Sequence, residues 1–137
     1  MARVKMMLLT MIMTLILVGC SNDSSTSVFI SELEETNLEF TVIDNDEKSE
    51  FFSIPPTVID VDGEYILIYE YENKEEMEKE ASSIHDNGNI GSALIVYVSS
   101  PHFYKKENII VQYVGENEEI MNGVEQIMGE QFAGQTF

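Results

Sequence analysis

The chain repeats its own grammar at a shift of 43 residues, and that repeat limits the folds open to it more than any single motif. Ile66-Leu67-Ile68 falls on Ile109-Ile110-Val111, and Tyr71 falls on Val114. Glu75-Glu76 falls on Glu118-Glu119, Met77 on Ile120, Ala81 on Val124 and Ile84 on Ile127. Both copies read as a strand, an acidic helix start and a helix. Met77, Ala81 and Ile84 recur at i, i+4 and i+7, as do Ile120, Val124 and Ile127. Each is a narrow apolar stripe that seats one helix face on a sheet. Asn73 and Asn117 stand where N-caps belong, each followed by two glutamates near the positive end of the helix dipole. Gly129, just past the second stripe, suits a helix stop.

The strands around these helices come from runs of β-branched and aromatic residues. Leu38–Ile43 forms an N-terminal strand, followed by the polar turn Asp44-Asn45-Asp46-Glu47-Lys48. Val58–Val61 and Tyr65–Tyr71 flank Asp62-Gly63, a hairpin signal. Ala93-Leu94-Ile95-Val96-Tyr97-Val98 is almost wholly apolar and reads as a central strand, with Phe51-Phe52-Ser53-Ile54-Pro55 as its counterpart in the first copy. Ile109–Val114 completes the set. Short turns between neighbours make the pairs antiparallel. The expected fold is therefore α+β: an antiparallel sheet with two helices on one face, in tandem ββα halves after an N-terminal strand. It occupies a single domain over residues 38–137.

The first 20 residues carry a different message. Arg3 and Lys5 lead into the apolar run Met6–Val18, and Leu17-Val18-Gly19-Cys20 ends it. A basic start, a short apolar segment and small residues before a cut make a secretory signal. With 13 residues, including Thr10 and Thr14, the run is too short for a membrane span, which needs about 20. The segment resembles a bacterial lipoprotein signal. That resemblance implies cleavage after residue 19 and a diacylglyceryl group, carrying chains such as palmitate, on the Cys20 thiol. Residues 20–37, opening with Ser-Asn-Asp-Ser-Ser-Thr-Ser, then read as the lipidated cysteine and a flexible tether.

Composition narrows what such a domain can do. Cys20 is the only cysteine, so disulfides, thiol redox chemistry and cysteine zinc sites are excluded. Beyond it stand five lysines against 25 acidic residues, a formal charge of about −20. Such a surface repels nucleic acid and favours cationic partners.

Pro101-His102-Phe103-Tyr104-Lys105-Lys106 is the most distinctive short stretch, lying between two apolar strands. Read as a loop, it offers His102, Phe103, Tyr104, Lys105 and Lys106 as partner-binding residues. Its structural alternative has the aromatics plugging a sheet edge. His85 and His102 are the only histidines, and no H-E-x-x-H spacing accompanies them, so no metal site or cofactor is expected. A hydrolase built on His102 would need a nucleophile; Ser92, Ser99 and Ser100 are near in sequence, without a G-x-S-x-G elbow. Asp44-Asn45-Asp46-Glu47 and Asp60-Val61-Asp62-Gly63-Glu64 are acidic turns, and neither completes a calcium loop.

The run from Pro101–Lys106 through Ile109–Gly115 to Gly129-Glu130-Gln131-Phe132-Ala133-Gly134, together with the signal, resembles small uncharacterised lipoproteins of Bacillus-type Gram-positive bacteria. The resemblance implies anchoring at the extracytoplasmic face of the cell membrane and brings no catalytic residues. The expected function is a membrane-anchored, non-enzymatic module for a protein, peptide or cell-envelope component. A hydrolase using His102 and a calcium-dependent module on the acidic turns are the alternatives.

Overall fold

The computed structural model describes residues 22–134. The signal segment and Cys20 lie outside the described residues, as do residues 135–137.

The fold is α+β, built on one six-stranded, wholly antiparallel sheet. Two hairpins form its middle. In the first, β2 (Thr57–Val61) and β3 (Glu64–Glu70) are joined by Asp62-Gly63. Both turn residues have positive φ, 51° and 87°, the requirement of a two-residue turn that matches strand twist. In the second, β4 (Pro101–Lys106) and β5 (Ile109–Val114) are joined by Glu107-Asn108. β3 pairs with β5, placing Ile66 opposite Tyr113 and Ile68 opposite Val111. The edges are β1 (Thr41–Ile43) beside β2 and β6 (Ala133–Gly134) beside β4, giving the order β1-β2-β3-β5-β4-β6.

Each hairpin feeds a helix across three residues: β3 leads to α2 (Lys74–Ala81) and β5 to α3 (Glu118–Met128). Asn73 caps α2 by accepting from Glu76 N–H at 2.9 Å, and Asn117 caps α3 by accepting from Glu119 N–H at 3.0 Å. The tandem ββα order is thus present, with two corrections to its parts. The first strand of the second half is Pro101–Lys106, and Ala93–Val98 forms no strand of the sheet. Residues 51–55 form none either, although Phe52 is buried, its ring 4.1 Å from that of Tyr69.

The helices do not share a face. α3 packs with Ile59, Ile66, Ile68, Val111 and Tyr113 on one side of the sheet. α2 packs with Tyr69, Tyr71, Phe103 and Ile110 on the other. The expectation of two helices on one face fails because β5 is apolar on both sides: Ile109, Ile110 and Val111 are all buried. A strand of that kind needs cover above and below.

A third helix, α1 (Ser25–Glu34), corrects the tether expected over residues 20–37. Ser24 is its N-cap, accepting from Ser27 N–H at 3.1 Å. The Glu70 carboxylate, at the end of β3, accepts from Ser25 N–H at 3.2 Å and Thr26 N–H at 3.0 Å. A carboxylate at a helix N-terminus satisfies free N–H groups and opposes the dipole. Ser25 Oγ also bonds Asn108 Oδ1, and Asn108 Nδ2 donates to the Tyr71 carbonyl at 2.5 Å. Thr26, Phe29 and Leu33 form the buried side of α1, which lies beside α3. Gly123 of α3 permits the close approach, since a Cβ there would meet Leu38 Cδ1 at 3.0 Å. The ordered domain therefore opens at Ser24, well before Leu38.

Leu33 is fully buried. Leu33→Ala should cost about 2–5 kcal/mol of unfolding free energy, whereas Val28→Ala, on the exposed side of α1, should stay within about 0.5 kcal/mol; urea titration separates them. An unaffected Leu33→Ala protein would mean that α1 is dispensable.

Tyrosine burial sets the alkaline limit. Burial raises Tyr97 and Tyr104 from 10.0 to about 12. Burial and the hydrogen bond to Glu64 do the same for Tyr113, and Tyr71 is raised further by burial. Between 10.0 and about 12 the unfolded chain loses these protons while the folded chain keeps them, so stability falls as pH rises through that window. Tyrosinate absorbance followed alongside circular dichroism should show ionisation and unfolding together.

Candidate functional site

The stretch expected to be a recognition loop is a strand in the middle of the packing. In β4, His102, Phe103 and Tyr104 are buried, at 2%, 0% and 2% exposure. Phe103 lies among the residues under α2, and Tyr104 among those under α1 and α3. The lysines are spent within the fold. Lys105 Nζ sits 2.6 Å from Glu78 Oε2 and 5.1 Å from the Phe132 ring centroid. Lys106 Nζ donates to the Ile127 carbonyl at 2.8 Å, near the negative end of α3. The loop expected for these five residues is corrected to a strand, with His102, Phe103 and Tyr104 buried as the structural alternative has it and Lys106 exposed.

His102 is held from both sides. Its Nε2 lies 3.0 Å from the Gly115 carbonyl, its Nδ1 2.6 Å from Gln131 Oε1, and its ring stacks on Tyr113 at 5.9 Å. Both ring nitrogens thus face oxygen atoms of the protein. Ser100 Oγ bonds Glu116 Oε1 at 3.1 Å and makes no pair with His102. The other histidine, His85, places Nε2 3.0 Å from the Gly91 carbonyl. This geometry lends the hydrolase alternative no support. The acidic turns are likewise engaged: Asp60 Oδ1 accepts from Gly63 N–H at 2.7 Å, and Asn45 Oδ1 from Glu47 N–H at 3.2 Å. Among the described residues no group of three or more histidine, cysteine, aspartate or glutamate side chains converges as a metal site would require.

What the structure does leave open is apolar. On the α2 side of the sheet the helix lies against β5, while the half formed by β1, β2 and the start of β3 carries no helix. Ile43, Val58, Tyr65, Leu67 and Val114 line a groove there of about 610 Å³, with Val98 on its border and Gln112 also lining it. Tyr65 is 52% exposed. Asp44 and Glu64 also contribute to its lining. Glu64 Oε1 accepts from Tyr113 Oη at 2.6 Å and Oε2 from Asn117 Nδ2 at 2.9 Å. Those two hydrogen bonds hold its carboxyl below the usual carboxylate range, on the α3 side of the sheet with Tyr113.

The segment Leu94–Val98 adds to this surface. Leu94, Val96 and Val98 are 84%, 90% and 100% exposed, while Ile95 and Tyr97 between them pack against the core under α2. Tyr97 Oη pins the segment by donating to the Gly88 carbonyl at 2.6 Å, and Ile95 N–H donates to Asn89 Oδ1 at 3.1 Å. Solvent exposure of isolated apolar residues is ordinary; here three are exposed in alternation, and the last, Val98, lines the apolar groove. The strand character of Ala93–Val98 was the available signal for this surface in the sequence.

No family model matches the chain, and no curated protein or solved structure is similar to it.

Because Leu94, Val96 and Val98 touch so little of the fold, serine at each should change unfolding free energy by less than about 0.5 kcal/mol. Tyr97→Phe, which strands the Gly88 carbonyl, should cost about 1 kcal/mol. Thermal or urea unfolding of the four variants checks this; large losses at positions 94, 96 and 98 would mean that these residues serve the fold itself.

Proposed function

We propose that this chain is a lipid-anchored extracytoplasmic binding domain, held at the cell membrane through Cys20, that docks a protein or peptide on the open apolar side of its sheet. The observation that carries the binding role is the exposed alternation Leu94, Val96, Val98, whose last member lines the groove of Ile43, Val58, Tyr65 and Leu67. The basic-apolar start and Leu17-Val18-Gly19-Cys20 support the anchor.

The fold suits that arrangement. α1 begins one residue after its Ser24 cap, leaving residues 21–23 between the anchor and the domain. Fully extended, the chain from Cys20 to Ser24 spans no more than about 14 Å. α1 enters the sheet at Glu70 and Asn108, the end of β3 and the β4–β5 turn. The groove lies toward the opposite end, at Glu64, Tyr65 and Val114. Five residues of strand separate Tyr65 from Glu70, roughly 17 Å. A short tether at one end thus turns the open surface away from the anchor.

Two arms test the reading in intact cells. Cys20→Ala should shift the protein from the membrane to the soluble fraction; continued processing and membrane retention would sink the anchor. A photo-crosslinking residue in place of Val96 should trap one defined partner that the same residue at Gln126, on the exposed side of α3, does not. Identical products from both positions, or none at good expression, would sink the docking surface.

A further inference from the structure

Within the proposed binding role, on which this rests, we infer that the occupant is a cationic, extended peptide segment that adds as a β-strand to Leu94–Val98, with apolar side chains set over the groove. Three independent observations converge on this chemistry.

The first is unspent backbone. Ala93–Val98 has the composition of a buried strand, yet beyond an isolated bridge between Ala93 and Ile90 nothing pairs with it. Among the described residues, the backbone groups of Leu94, Val96, Tyr97 and Val98 make no hydrogen bond, and Ile95 N–H is taken by Asn89. Backbone N–H and C=O groups are obligatory hydrogen-bonding groups, and a row of them is a template for another strand. Main-chain pairing then supplies affinity, and pockets for alternate side chains supply specificity.

The second is side-chain periodicity. Exposure alternates along residues 94–98 with the two-residue period of a strand. The segment is held in that arrangement by Tyr97 Oη on the Gly88 carbonyl and by Ile95 in the core, so the template is organised before a partner arrives. Less ordering cost then falls on binding.

The third is charge, which decides among occupants. The chain beyond Cys20 carries five lysines against 25 acidic residues, and Asp44 is among the residues lining the groove. A second copy of this chain would bring the same charge and be repelled. An anionic headgroup would be repelled as well. A strand alternating apolar and basic residues meets the groove with one set and presents the other to this strongly acidic molecule.

The experiment uses the mature chain and a synthetic, end-capped peptide of roughly nine residues, enough to overlap five residues at about 3.3 Å each. The probe alternates valine and lysine. Fluorescence anisotropy at physiological salt should show it binding at least about tenfold more tightly than a valine–glutamate version. Methylating alternate backbone nitrogens of the probe, which removes donors and keeps charge and side chains, should weaken binding by a similar factor. Val96→Lys in the protein should do the same while leaving its melting temperature unchanged. No binding, equal binding of the methylated probe, or equal binding of an all-lysine peptide overturns the inference. So does sedimentation of the wild-type protein as a dimer that Val96→Lys dissociates, because the occupant is then a second copy. If position 96 traps a partner in cells while the probe fails to bind, strand addition is excluded and the binding role stands; if Cys20→Ala leaves the protein on the membrane, the anchor alone is excluded.

Discussion

The antiparallel pairing of β3 with β5 is the contact on which the rest of the molecule depends. It joins two hairpins that are each closed locally, and it does so through Ile66, Ile68 and Tyr69 on one side and Ile110, Val111 and Tyr113 on the other. A lone two-stranded hairpin is marginal in water, whereas a continuous sheet with apolar faces is not. Because the side chains of β5 are buried on both faces, this pairing also fixes how many layers are needed. α2 closes one side, and α1 with α3 closes the other. Neither α1 nor α3 does so alone: Leu33 and Val124 meet in the same cluster, brought close by Gly123.

Polar groups at the two ends of β3 tie the helices to that sheet. At one end Glu70 receives the first N–H groups of α1. At the other, Glu64 receives Tyr113 Oη and Asn117 Nδ2, and Tyr113 Oη in turn accepts from Asn117 N–H at 3.0 Å, next to the start of α3. Two carboxylates on one strand thus act at opposite ends of the sheet, Glu70 on the first N–H groups of α1 and Glu64 on the side chain of the α3 cap, Asn117. In so acidic a chain they have specific structural duties, which distinguishes them from the solvated majority.

Much of this was legible in the residues. The helices α2 and α3, their asparagine caps, the Asp62-Gly63 turn and the strands on either side of it follow from local period and turn chemistry. The repeat even contained the strand that was misplaced. The shift that aligns Ile66 with Ile109 carries Val58–Val61 onto Pro101–Tyr104, which is β4. Ala93–Val98 has the stronger strand composition, but strand formation needs a partner, and composition does not provide one. Pro101, two aromatics and two lysines disguise β4 as a loop; its lysines reach out to Glu78 and to the end of α3. α1 was hidden for another reason. Its first turn is Ser-Thr-Ser, and its buried stripe of Thr26, Phe29 and Leu33 is short. Its stability comes from Glu70, 44 residues away from Thr26 and invisible to any local window.

The misplaced strand and the candidate site are one problem seen twice. A segment with strand composition that fails to pair inside its own fold either carries a local preference the fold overrides or keeps its edge for another chain. An overridden segment is ordinarily covered, broken by proline or shielded by charge, since an exposed apolar edge invites aggregation. None of those devices occurs within Leu94–Val98, where three apolar side chains face solvent. The shielding comes instead from the high net negative charge, which deters copies of the chain from one another. In the proposed binding role, a surface protected against itself by charge, yet held in a strand-like alternation by Tyr97, would favour partners of opposite charge.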